Sequence, residues 1–188
     1  MPKITESKIL ILATDGFEKS ELFVPLEKLK DAGAEVVVAA PEKRAIKSWD
    51  KTDWGETIEA DIAVADADVS EFDAIVLPGG QINPDLLRVD TDAMAVVKTF
   101  LKSGKVVAAI CHGPWLLAEA GVLKGRDVTS YPSIRTDLVN AGANWKDVEV
   151  VADGGIVTSR SPKDLDAFVG KIIEEVEEGR HGERKLAA

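Results

Sequence analysis

The chain has little of what most thiol and metal chemistry uses. Among 188 residues there are one cysteine, two histidines and one tyrosine. A single thiol rules out an intramolecular disulfide and any cysteine-rich metal centre. No apolar run is long enough to cross a bilayer, and no signal-peptide pattern opens the chain. These absences predict a cytoplasmic, reducing setting and no membrane partner. Basic residues are in the minority: 23 Lys and Arg face 33 Asp and Glu, a formal net charge of −10. That balance argues against a nucleic-acid partner. No metal or cofactor is expected.

What is present is ordinary globular material, 45% apolar and 30% charged. A chain of this length is expected to form one domain over residues 1–188. The terminal Lys185-Leu186-Ala187-Ala188 is read as a vector scar and left out of the fold.

Apolar runs alternate with amphipathic stretches. Lys8 to Thr14 is a solid apolar run, as expected of a strand covered on both faces. Glu18 to Asp31 has helical spacing, with Leu22, Leu26 and Leu29 on one face and Gly33 at its end. Further strands are predicted at Glu35 to Ala40, Ala74 to Leu77 and Lys105 to Ile110, and a helix at Thr91 to Leu101. A short helix is expected at Ser133 to Asn140. Val148 to Val151 and Ile156 to Thr158 flank Asp153-Gly154-Gly155, a hairpin signal. Ser161-Pro162-Lys163-Asp164 reads as an N-cap opening a last helix to about Glu178. The alternation implies a parallel sheet with helices on both faces. Ile46 to Ala65 breaks it and reads as a small surface β excursion. Its Trp49 and Trp54 suit local packing and a partner surface equally.

The one cysteine, Cys111, falls where strand meets helix, between Val106-Val107-Ala108-Ala109-Ile110 and Trp115-Leu116-Leu117. Such a corner lifts a side chain off the sheet and aims backbone N–H groups at it. A helix N-terminus favours thiolate, so a depressed thiol pKa is expected. A buried structural cysteine is the alternative, but a core-filling thiol belongs within a strand rather than at its tip. In a doubly wound sheet the site lies beyond the carboxyl ends of the strands. Four segments therefore converge: Asp15-Gly16-Phe17-Glu18, Pro78-Gly79-Gly80-Gln81, Cys111-His112 and Ser130-Tyr131.

Glu18 is the candidate carboxyl. Near a thiolate it would hold its proton and act as general acid/base; the plain reading is a helix-opening acid. His112 adjoins Cys111, and in a sharp turn neighbouring side chains are expected to point apart, which disfavours a simple Cys–His pair. No His-x-Glu pair follows, so an amidotransferase-type triad cannot be assembled. Gly79, Gly80 and the His112 N–H are oxyanion-hole candidates, or else Pro-Gly-Gly is a plain turn. Tyr131 is placed at the substrate.

At these residues the chain resembles the ThiJ/PfpI family. The resemblance rests on Asp15-Gly16-Phe17-Glu18, Leu77-Pro78-Gly79-Gly80, Asn83-Pro84-Asp85 and Ala109-Ile110-Cys111-His112-Gly113-Pro114. It continues through Thr129-Ser130-Tyr131-Pro132-Ser133 and Thr158-Ser159-Arg160. It implies a flavodoxin-like three-layer α/β sandwich with a nucleophile elbow, as in class I glutamine amidotransferases. It implies Cys111 as nucleophile, Glu18 as its hydrogen-bonding carboxyl and His112 as third group. It also implies a homodimer in which Asp85 of one subunit reaches His112 of the next, and Trp49 and Trp54 offer further contacts toward a hexamer. Asp85 is shorter than the glutamate of the family's proteases.

Three functions follow. The first is a glyoxalase or deglycase acting on methylglyoxal and its early adducts on proteins or peptides. The second is a PfpI-type cysteine peptidase. The third is a non-catalytic redox sensor or holdase in which Cys111 is oxidised. All three suit a stress response, and the small site ranks the first ahead.

Overall fold

The computed structural model describes residues 2–187. The chain opens with β1 (Lys8–Leu12), β2 (Phe17–Glu18), α1 (Lys19–Asp31) and β3 (Glu35–Ala40). Then come β4 (Ala45–Asp50), β5 (Asp53–Glu59), β6 (Ile62–Ala63) and β7 (Ala74–Leu77). Next are α2 (Ile82–Leu87), α3 (Thr91–Lys102), β8 (Val106–Ile110), α4 (Trp115–Ala120) and β9 (Asp127–Val128). Last are α5 (Arg135–Asn140), β10 (Asn144–Trp145), β11 (Val150–Asp153), β12 (Ile156–Ser159) and α6 (Leu165–Glu178).

Seven strands form the central sheet in the order β11-β12-β8-β7-β1-β3-β6. Every neighbouring pair is parallel except β11 and β12, the hairpin expected around Asp153-Gly154-Gly155. The apolar runs are explained by this burial. Along β1, Ile9 and Ile11 face one core with Phe17, Leu22, Leu29, Phe168 and Ile172 from the α1 and α6 side. Leu10 and Leu12 face the other with Val97, Phe100, Leu116 and Leu117 from α3 and α4. Strand alternation thus feeds two cores, one per face. Each fully buried Ile, Leu or Phe contributes about 1.5–3 kcal/mol through removal from water. This is the flavodoxin-like three-layer arrangement.

The surface excursion is in part a hairpin, β4 with β5, whose Trp49 and Trp54 meet edge to face across the strands at 5.5 Å. Its last stretch departs from the expectation: β6 joins the main sheet beside β3. Ser161 makes no side-chain cap bond, and residues Pro162–Asp164 form a 3-10 turn before α6. Pro162 fixes the turn without help from the serine. The C-terminal segment set outside the fold is docked on it. Leu186 packs against the core and the Ala187 N–H donates to the Gly121 carbonyl at 2.8 Å. Ala188 lies outside the described residues. No helix among the described residues is long and apolar enough to cross a membrane.

Candidate active site

Cys111 follows β8 directly and has φ 63°, a left-handed conformation that non-glycine residues adopt only at a cost of about 1–3 kcal/mol. The surroundings hold it there. Its N–H donates to the Ser159 carbonyl at 3.0 Å, and its carbonyl accepts from the Tyr131 N–H at 2.9 Å. Gly113 completes the elbow: a Cβ there would stand 2.5 Å from the Leu77 carbonyl oxygen. The Cys111 side chain is buried, at 6% exposure, rather than partly open.

The carboxyl beside it is Glu21 and not Glu18. The Glu18 side chain turns onto its own helix, accepting the Glu21 N–H at 2.9 Å and the Ser20 hydroxyl at 2.6 Å. It is the N-cap of α1, the plain alternative. Glu21, one turn on, is fully buried beside Cys111: the two flank the space above Gly79, and Glu21 Oε1 has no hydrogen-bond partner among the described residues. Its Oε2 accepts the Gly79 N–H at 2.9 Å. Burial, then the Glu18 charge, push the Glu21 pKa well above the carboxylate range, which favours the protonated carboxyl. Glu21 shares the buried stripe of α1 with Leu22, Pro25 and Leu29. An acid on an apolar stripe was the signal that sequence reasoning passed over.

The thiol pKa is raised, not lowered. Burial is the first cause, and the Glu21 charge adds to it; backbone N–H groups of Gly80 and His112 act in the opposite sense. The helix-terminus argument fails because α4 is a six-residue helix starting four residues later, while the Cys111 side chain is buried. Where Glu21 is protonated its charge no longer opposes the thiolate, and its O–H can donate to sulfur. Cys111 and Glu21 are thus a buried pair in which the charge of one bears on the proton of the other.

Of the two glycines, only Gly80 aims its N–H at Cys111. The Gly79 N–H is taken by Glu21, and a Cβ on Gly79 would stand 2.4 Å from Glu21 Oε2 and 2.6 Å from Cys111 Cβ. Gly79 is the floor on which thiol and carboxyl meet.

His112 does not point away. Its Nδ1 lies 3.1 Å from Cys111 Sγ. The positive φ of Cys111 turns the two neighbouring side chains to the same side, which a standard turn would not do. Nε2 of His112 meets Ser133 Oγ at 3.1 Å, and burial lowers the imidazole pKa, favouring the neutral ring. Tyr131 stacks on the ring at 5.0 Å and Trp115 meets it edge-on at 5.2 Å. Asp85 is apart from His112 within this chain. It lines a shallow groove with Gln81, Ile82, Leu86 and Trp115.

A cleft of about 360 Å³ joins these parts, bounded by Cys111, His112, Glu21, Gly80, Tyr131 and Trp49 among others. A strained cysteine on a strand-to-helix elbow, with a protonated carboxyl and converging N–H groups, defines a protein of the nucleophile-elbow α/β class. The chain belongs to the DJ-1/PfpI family, whose pattern it matches over residues 7–175. It is 47% identical over 167 residues to a deglycase of Thermococcus kodakarensis, covering 89% of this chain and 98% of that one. It is 48% identical over 161 residues to YraA of Bacillus subtilis, provisionally named a cysteine protease, covering 86% and 93%. It is 43% identical over 162 residues to protein/nucleic acid deglycase 2 of Escherichia coli, covering 86% and 92%. The fold matches Drosophila melanogaster DJ-1beta with TM-score 0.81 and 32% identity over 95% of each chain. The expectation of no nucleic-acid partner, drawn from net charge, is at odds with the name of the E. coli relative.

Proposed function

We propose that this chain is a cysteine-dependent deglycase and glyoxalase acting on methylglyoxal and its early adducts. The observation that carries the reading is the buried Cys111–Glu21 pair: a nucleophile and a proton carrier in contact within a small cleft. With one proton shared by the pair, Cys111 Sγ adds to the aldehyde carbon as Glu21 delivers that proton to the carbonyl oxygen, giving a hemithioacetal and the Glu21 carboxylate. The Glu21 carboxylate removes the proton from that carbon and returns it to the neighbouring carbon, while the hydroxyl proton on the first carbon's oxygen passes to the neighbouring oxygen, giving a lactoyl thioester. Water cleaves the C–S bond, releasing lactate and restoring the thiol. The N–H groups of Gly80 and His112 stabilise the negative charge that develops near the sulfur. The relatives' deglycase names support this reading.

The 3.1 Å contact between Sγ and Nδ1 favours a second reading, a peptidase with neutral His112 as base. It would need the carboxylate of Asp85 from another copy, since Nε2 faces only Ser133 here. One experiment separates the two: purified protein and Cys111→Ala, each given methylglyoxal and a fluorogenic peptide. The first reading predicts lactate release that Cys111→Ala abolishes, with no peptide cleavage. Peptide cleavage without lactate would overturn it.

A further inference from the structure

The hairpin between β4 and β5 carries a backbone anomaly beside the thiol. Lys51 has φ 58°, one of two non-glycine residues with positive φ among those described; the other is Cys111. The Thr52 N–H donates to the Asp50 carbonyl at 2.7 Å, closing a three-residue turn about Lys51. Such a turn with positive central φ is rare and strained, and glycine would relieve it. The turn is pinned from within: Trp49 Nε1 donates to the Lys51 carbonyl at 3.0 Å. Both Trp49 and Lys51 line the cleft that holds Cys111 and His112.

The charges around Lys51 are distributed unevenly. Lys19 takes the nearby carboxylates, Asp50 at 3.3 Å and Glu56 at 2.7 Å. Lys51 makes no ion pair among the described residues. It is also the one Lys or Arg lining the cleft. In a chain of net charge −10 an anionic substrate meets a repulsive field, so one cation lining the cleft has a large relative effect. We propose that Lys51 determines specificity by receiving a carboxylate on the carrier of the aldehyde adduct, so that adducts of carboxylate-bearing amines and thiols are preferred over neutral ones. This rests on the deglycase reading above. The strain is retained because the position needs a cation more than it needs an unstrained turn.

The test uses full-length protein and two adduct pairs that differ in one charge. Methylglyoxal hemithioacetals of N-acetylcysteine and of its neutral amide are supplied, and lactate release gives kcat/KM for each. Separately, Cys111 alkylation is timed with iodoacetate and with iodoacetamide, which needs no turnover. Lys51→Met is expected to lower the charged-to-neutral ratio about three- to fivefold in both assays, the scale of one exposed charge pair. Lys51→Arg is expected to restore it, and raised salt to reduce it in wild type. Lys51→Gly is expected to lose the preference while melting at a higher temperature, which a purely structural lysine would not do. An alkylation ratio unchanged in Lys51→Met overturns the proposal. No lactate from either adduct in wild type overturns the deglycase reading instead, and the alkylation ratio still decides Lys51.

Discussion

At the scale of single residues, the site depends on one buried acid holding a proton. Glu21 has a raised pKa in the folded state from burial and the Glu18 charge. The unfolded chain ionises that carboxyl near the ordinary value, ~4.3. Between that value and the raised one the folded state binds the extra proton. Glu21 therefore costs no stability at low pH and increasingly destabilises the fold as pH rises through this window. Glu21→Gln, which cannot ionise, is expected to flatten that slope. Urea unfolding of both forms from pH 4 to 8 checks it; parallel curves would show that Glu21 ionises freely when folded. The raised thiol pKa adds a second decline above the unfolded cysteine value, ~8.5. Glu21→Gln keeps a donor to sulfur but cannot carry a proton, so turnover should be lost while Cys111 still alkylates.

At the scale of elements, the fold is held by strand burial and by a tail that acts as a clasp. Arg184 is 4% exposed and donates to the carbonyls of Gly154, Leu101 and Lys105, at 2.7–3.3 Å. It closes the C-terminal end of α3 and the turn between β11 and β12 with no carboxylate partner among the described residues. Arg184→Ala leaves buried carbonyls unpaired and is expected to cost about 2–4 kcal/mol. Chemical denaturation measures this, and a loss under about 0.5 kcal/mol would mean the tail merely rests on the surface. The central strands were legible because burial on both faces leaves an unbroken apolar run: the expected bounds at Glu35–Ala40 and Ala74–Leu77 match β3 and β7. Helix α6 ends at Glu178 as periodicity placed it. The tail was not legible, because a short polar segment announces its docking only through the carbonyls it meets.

The position of Cys111 at the strand-to-helix corner and the converging loops were legible, the side chains beside it less so. Glu18 and Glu21 both lie in the opening turn of α1, where acids are common for dipole reasons. Which one faces the elbow depends on the rotation of the helix against the sheet, a three-dimensional quantity. The approach of His112 to the thiol was not legible, because the rule that neighbouring side chains in a sharp turn point apart does not hold at the +63° φ of Cys111.

At the scale of the whole molecule, the question is whether sites act alone. Exposed Ile82, Leu86 and Val89 lie on and beside α2, next to Asp85. We propose that this apolar patch meets a second copy of the chain in a symmetric contact. Sedimentation at micromolar concentration is expected to show a dimer or larger, and Leu86→Glu to dissociate it. A clean monomer with full activity would confine catalysis to one chain and remove Asp85 from any shared triad. Asp85→Ala is expected to spare lactate release, since Cys111 and Glu21 meet within one subunit.

The central claim is that Cys111 forms a bond to the aldehyde while Glu21 moves protons. Intact mass measured on rapidly quenched mixtures of methylglyoxal with wild type, Glu21→Gln and Cys111→Ala tests it most directly. The account predicts a one-aldehyde adduct that digestion maps to Cys111, transient in wild type, persistent in Glu21→Gln and absent in Cys111→Ala. Lactate production at the wild-type rate by Cys111→Ala, with no adduct on the cysteine peptide in any form, would contradict it.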